Sequence, residues 1–153
     1  WAVIIGIDHY DWEEHLAGCV GDARLMFNYL TEGLRVPASR ILLLTDDLLP
    51  TRERILRALY DHLRDNKDIP SSGANLLFHF SGHGSSYNSH FETSGTEAIC
   101  PADRHGGALD SEDGVVVDIS DRELNIIFSE ICRRKGSKLT VILDCCHSGG
   151  AVR

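Results

Sequence analysis

The chain lacks any apolar run approaching the roughly 20 residues that a bilayer-spanning helix needs, and it lacks a secretory leader with a basic start, an apolar middle and small residues at a cleavage site. A soluble protein with no membrane partner is expected. Basic residues are in the minority. With 15 Lys and Arg against 23 Asp and Glu, the net charge is −8, so nucleic acid is not an expected partner and a basic peptide or ligand is favoured. No G-x-S-x-G elbow, P-loop or G-x-G-x-x-G follows a strand-like run, which removes serine-hydrolase and nucleotide-binding readings. An even cysteine framework is missing too. The five cysteines, Cys19, Cys100, Cys132, Cys145 and Cys146, fit a reducing, cytoplasmic compartment and leave at least one thiol free if all bridges are internal.

What is present suits one globular domain over residues 1–153, of which 42% are hydrophobic. Ala2 to Ile7 reads as a buried strand, and Ala23, Met26, Phe27 and Leu30 then recur at helical spacing until Gly33. A second strand at Ile41 to Thr45 is followed by a helix opening at Pro50-Thr51, with Ile55, Leu56, Leu59 and Leu63 on one face. A third strand covers about residues 75–80. The polar stretch from Ser85 to Asp113 reads as mostly loop, within which Ala98-Ile99-Cys100 and Val115-Val116-Val117 are candidates to pair as a hairpin. Asp121 starts a helix that Gly136 ends, and a fourth main strand runs to Leu143. This alternation predicts an α/β fold, a mostly parallel sheet with helices on both faces.

Two strand ends carry chemistry. The third strand ends in Ser81-Gly82-His83-Gly84 and the fourth in Asp144-Cys145-Cys146-His147-Ser148-Gly149. Parallel strands bring their C-terminal ends to one edge, where open α/β sheets place ligand sites. If these two are neighbours, His83 and Cys146 meet although 63 residues apart. A thiolate nucleophile beside an imidazole base is the pairing needed for acyl transfer, and backbone N–H groups of Gly84 and Cys146 are candidate oxyanion donors. Alternation places Leu143 and Cys145 on one strand face, which favours Cys146 as the side chain reaching the cleft. A zinc site from Cys145, Cys146, His147 and His83 would lack the spaced pairs that structural zinc favours.

Those two segments resemble the active-site motifs of metacaspases, within the caspase-like cysteine peptidases. The resemblance extends upstream to Leu16-Ala17-Gly18-Cys19-Val20-Gly21-Asp22-Ala23, with Gly21 where Asn is usual, and to Pro50-Thr51-Arg52. It implies a caspase-like three-layer fold, with His83 and Cys146 as the catalytic pair. It also places Cys19, Asp22, Ser81 and Asp144 in the pocket for the residue before the scissile bond. Two carboxylates imply a cationic guest, so cleavage of protein or peptide substrates after Arg or Lys is expected and cleavage after Asp is not. The alternative for Asp22 is a helix N-cap or first-turn carboxylate, and for Asp144 a turn-holding role.

The resemblance raises calcium as well. Glu97, Asp103, Asp110, Glu112, Asp113, Asp118, Asp121 and Glu123 crowd one stretch without an EF-hand spacing. Asp103 and Asp121 match two of the family's calcium ligands, whereas Arg122 stands where a third acid is usual. The alternative is a solvated acidic loop with Asp121 as N-cap, and no cofactor is required for the dyad. Family members continue into a smaller C-terminal p10-like portion that completes the sheet and cleft, so this chain is expected to be the large p20-like portion and that segment its partner. A catalytically incomplete caspase-fold regulatory or interaction module is the competing reading.

Overall fold

In the computed structural model of the chain, which describes residues 1–11, 13–87, 95–104 and 115–146, the first apolar run forms β1 (Ala2–Gly6), buried throughout. It is flanked by β2 (Ile41–Leu44) and β3 (Leu76–Ser81), and β3 by β7 (Leu139–Asp144), in the order β2-β1-β3-β7 with every pair parallel. Strands buried on both faces need apolar side chains at successive positions, which the Ala-Val-Ile-Ile run supplies.

Period-two alternation divides that run between two layers. Val3, Ile5 and Ile7 enter the larger core with Leu76, Phe78 and Phe80. Over this face lie α2 (Arg52–Arg57), its π-helical continuation (Ala58–Arg64) and α3 (Asp121–Lys135), contributing Ile55, Leu59, Leu63, Leu124, Ile127, Phe128 and Ile131. Ala2 and Ile4 face the other way, toward Ala23 and Leu30 of α1 (Cys19–Asn28) and its continuation (Tyr29–Gly33). A Cβ at Gly6 would overlap the Cys19 carbonyl and the Ala23 Cβ, so only glycine lets α1 sit this close to the sheet. The expected mostly parallel sheet with helices on both faces is what the chain forms.

Three local expectations change. Val115–Val117 does not pair with Ala98–Cys100; instead β5 (Thr96–Ile99) lies between β4 (Gly84–Tyr87) and β6 (Ile119–Ser120) in an antiparallel sheet, Ile99 opposite both Gly84 and Ile119. Val115 and Val117 stay exposed while Ile119 is fully buried, so burial chose the register. Part of the stretch read as loop is therefore strand. The cap of α3 is Ser120, whose side chain accepts the Glu123 N–H at 3.2 Å, and Asp121 is the first helical residue rather than the N-cap. At α1 the Asp8 carboxylate accepts the Cys19 N–H at 2.8 Å and the Val20 N–H at 3.4 Å. Asp22, in the first turn, is left free of capping.

Candidate active site

Register brings the two motifs together. Ser81 lies opposite Gly6 on one side and Asp144 on the other, and the Gly82 N–H donates to the Asp144 carbonyl at 3.3 Å. The chain then leaves the parallel sheet through His83, whose carbonyl accepts the Cys100 N–H at 3.0 Å. A Cβ at Gly84 would overlap the Cys146 carbonyl oxygen and lie 3.3 Å from the Cys145 sulfur. The His83-Gly84 backbone thus passes directly against the Cys145-Cys146 backbone, and a side chain at position 84 would force them apart.

His83 is held on three sides. Its backbone N–H donates to the Tyr10 hydroxyl at 2.8 Å, and that hydroxyl donates to the Cys100 carbonyl at 3.4 Å. The two rings meet edge-on with centroids 4.8 Å apart. Burial pushes the Tyr10 phenol well above its ordinary pKa, so it stays protonated as this bridge. The ring Nε2 lies 2.7 Å from the Glu14 carbonyl. A carbonyl only accepts, so Nε2 carries a proton, and the tautomer this bond selects has its lone pair on Nδ1.

The two adjacent thiols differ. Cys145 packs against the larger core beside Leu143, and burial first, then the neighbouring Cys146 and Asp144, push its thiol up to about 11. Cys146, one residue on, is exposed. Cys100 is buried, its thiol pushed up to about 12 by desolvation. Of the thiols near His83, the exposed Cys146 is the accessible one.

On the α1 face the four residues expected to line a substrate pocket come from three elements. Ser81 ends β3 and is 1% exposed, while Asp144 ends β7 beside it and is exposed. Cys19 and the exposed Asp22 stand in the first turn of α1. The Cys19 thiol is hydrogen-bonded to Ser81, yet its pKa is raised, by burial first and then by Asp8 and Asp22. Asp8, Tyr10 and the Glu14 carbonyl were not legible beforehand as parts of this region. They lie in an irregular segment whose contacts span from 11 to 90 residues in sequence, and no local pattern announces them.

The calcium residues are placed differently. Asp103 Oδ1 accepts the Arg52 N–H at 2.8 Å, and the Arg52 guanidinium reaches both Glu123 oxygens at 2.9 Å. Asp121 Oδ1 accepts the Arg122 N–H. Asp118 is buried, with Arg104 Nε 2.8 Å from its Oδ1 and Ser85 and Tyr87 donating to Oδ2. A hard divalent cation wants several free oxygens; among the described residues no three acids, histidines or cysteines converge to hold one. These described residues do not by themselves fit the ion. Asp110, Glu112, Asp113 and His147 lie outside the described residues.

Comparison with known proteins fits this geometry. Residues 1–153 match the family described as metacaspase, peptidase C14 domain. The chain is similar to metacaspase-1A of Aspergillus oryzae, 32% identical over 99% of this chain and 35% of that protein. It is also similar to metacaspase-1B of Neurospora crassa, 31% identical over 99% of this chain and 34% of that protein. The chain thus spans about a third of the length of these curated relatives. A crystal structure of a Geobacter sulfurreducens protein shares the fold, with a TM-score of 0.68 and 21% identity, over 97% of this chain and 50% of that one.

Proposed function

The chain belongs to the metacaspase family of C14 peptidases, and from that premise we propose that it carries the catalytic portion of a cysteine endopeptidase that cuts after Arg or Lys. The observation that carries the reading is the packing of the His83-Gly84 turn against the backbone of Cys146, the exposed member of the thiol pair.

In the proposed reaction His83 Nδ1 takes the Cys146 thiol proton, and the thiolate attacks the carbonyl carbon of the scissile bond. The resulting oxyanion takes hydrogen bonds from the backbone N–H groups of Gly84 and Cys146, each worth about 3 kcal/mol. The tetrahedral intermediate collapses as His83 gives the proton to the leaving amine, which departs and leaves a thioester at Cys146. Water, deprotonated by His83, then attacks the thioester carbonyl; the C–S bond breaks, the substrate leaves with a new carboxyl terminus, and His83 returns the proton to the Cys146 sulfur. The Glu14 carbonyl supports the base role, because it fixes the tautomer that leaves Nδ1 free. Two carboxylates, Asp22 in the first turn of α1 and Asp144 opposite Ser81 at the end of β7, support a guanidinium or ammonium guest.

The expected partner in the cleft is a p10-like portion of the kind the family resemblance implies. The competing reading, a regulatory or interaction module, draws on the outer positions of β7, where Thr140, Ile142 and Asp144 are all exposed. Intact mass after treatment with an Arg-mimicking thiol-reactive peptide, beside its Asp analogue, separates the readings. The expected result is one adduct with the Arg reagent only, lost in Cys146→Ala and slowed in His83→Ala. Equal labelling by both reagents rejects the basic-residue pocket. No adduct on folded protein favours the regulatory module.

A further inference from the structure

Beneath the acidic pair lies a histidine that the peptidase chemistry does not use. His79 sits in the interior of β3, 4% exposed, opposite Ile4 of β1 and Ile142 of β7. Two residues on, and so on the same face, Ser81 lies between Gly6 and Asp144. That face is the one α1 covers, and Ile4 packs there with Ala23. His79 Nδ1 is buried and has no hydrogen-bond partner among the described residues. A buried polar atom left unpaired is costly, and at this depth it is a feature in want of a purpose.

The titratable groups around it come from two elements. From α1 it is Asp22, from β7 Asp144, while β1 sets apolar Ile4 opposite His79; the Cys19 thiol bonds to Ser81 two residues on. Burial holds the imidazole below its ordinary pKa, and the fields of Asp144 and Asp22 oppose that without overcoming it. Around neutral pH the ring is therefore uncharged, and both carboxylates are available to a cationic guest.

Resting on the basic-residue pocket proposed above, we infer that His79 is a positioning residue beneath that pocket, whose protonation competes with the cationic side chain of the substrate for Asp22 and Asp144. A proton on His79 sets a fixed cation below the two acids, so acidification through the titration of the ring weakens capture of Arg or Lys. The coupling is reciprocal: a guanidinium in the pocket must make His79 harder to protonate. The window lies below the ordinary imidazole value of about 6.5, because burial lowers the His79 pKa.

The test uses benzamidinium, a cation over this whole range, with the intact chain. Its Kd is measured at pH 7.5 and pH 5 for wild type and His79→Gln, and the His79 ring is titrated by NMR with and without saturating probe. Binding in wild type should weaken by about fivefold or more between the two pH values, the low end of ordinary site-to-site coupling. It should stay nearly flat in His79→Gln, and the ring should titrate at lower pH with probe bound. Should His79→Gln fail to fold, the wild-type ring titration decides alone. A Kd independent of pH in wild type, or a ring titration unmoved by the probe, overturns the role of His79 and leaves the pocket standing. Binding that is absent at both pH values, or unchanged in Asp22→Asn, overturns the pocket reading and this inference with it.

Discussion

The two faces of the parallel sheet carry different burdens. Under α2 and α3 the residues are apolar and closed off, with Val3, Ile5, Phe78, Phe80, Leu59 and Leu124 buried to 2% exposure or less. Under α1 the buried cluster is smaller, Ala2, Ile4, Ala23, Leu30 and Ile41. Partly buried Met26, Phe27 and Leu77 pack against it, and toward the strand ends the same face carries His79, Ser81, Cys19, Asp22 and Asp144. The closed apolar layer is concentrated on one face, and the polar and acidic side chains of the proposed substrate pocket on the other. The division is physical: a closed apolar layer gains most from excluding water, whereas a pocket for a cation must leave charged groups within reach of solvent.

Substitutions on each side test that division. The largest effect on folding is expected at the closed face, where Phe78→Ala should cost about 3–5 kcal/mol in denaturant unfolding; a loss below 1 kcal/mol would deny that this layer holds the fold. At the open face, Asp22→Asn should change unfolding little, yet slow alkylation of Cys146 by the Arg reagent by about tenfold or more, since a hydrogen bond to a charged group is worth about 1.5–3 kcal/mol. Equal slowing with a neutral thiol reagent would move the effect from the pocket to the nucleophile. Tyr10→Phe falls between the faces, because it removes the hydroxyl joining His83 to Cys100. It should cost about 1–3 kcal/mol through the unpaired His83 N–H and slow alkylation by both reagents alike.

A smaller effect should come from acidity. His79 has a lowered pKa in the folded chain, so below its unfolded value of about 6.5 the unfolded state binds more protons. Its contribution to stability is therefore present above that pH and lost as pH falls toward the folded value. Denaturant midpoints of wild type and His79→Gln, measured from pH 7.5 to 5, should diverge in that direction, and parallel curves would refute it. The smallest effect is expected at Ile142, on β7 in the same sheet but 37% exposed. Ile142→Ala should stay within about 0.5 kcal/mol, and a loss like that of Phe78→Ala would show that the outer face of β7 is covered in the protein as purified.

Much of this was readable before the structure. The β1, β2, β3 and β7 runs and the periodic faces of the helices are long and apolar enough to declare themselves, and so were the two glycine-bearing strand ends. The short polar strand β4 was not readable, because Gly84-Ser85-Ser86-Tyr87 has no strand signal until β5 pairs with it. The cap of α3 fell to Ser120 rather than to Asp121, a choice between adjacent residues that both have capping side chains. Asp8, which caps α1 across 11 residues, could not be found from local pattern at all.

The sequence by itself determined the α/β alternation, the order of strands and helices along the chain, and the presence of a thiol and an imidazole at strand ends. Those are properties of periodicity and of residues near one another in the chain. Tertiary structure alone decided that β3 and β7 are neighbours in a register that sets Ser81 beside Asp144. It also decided that the Glu14 carbonyl holds the ring of His83, that Cys146 and not Cys145 is exposed, and that His79 Nδ1, within the fields of Asp22 and Asp144, is buried with no partner among the described residues. Each depends on pairing, burial or field between residues distant in sequence, and such energies exist only once the chain has folded back on itself.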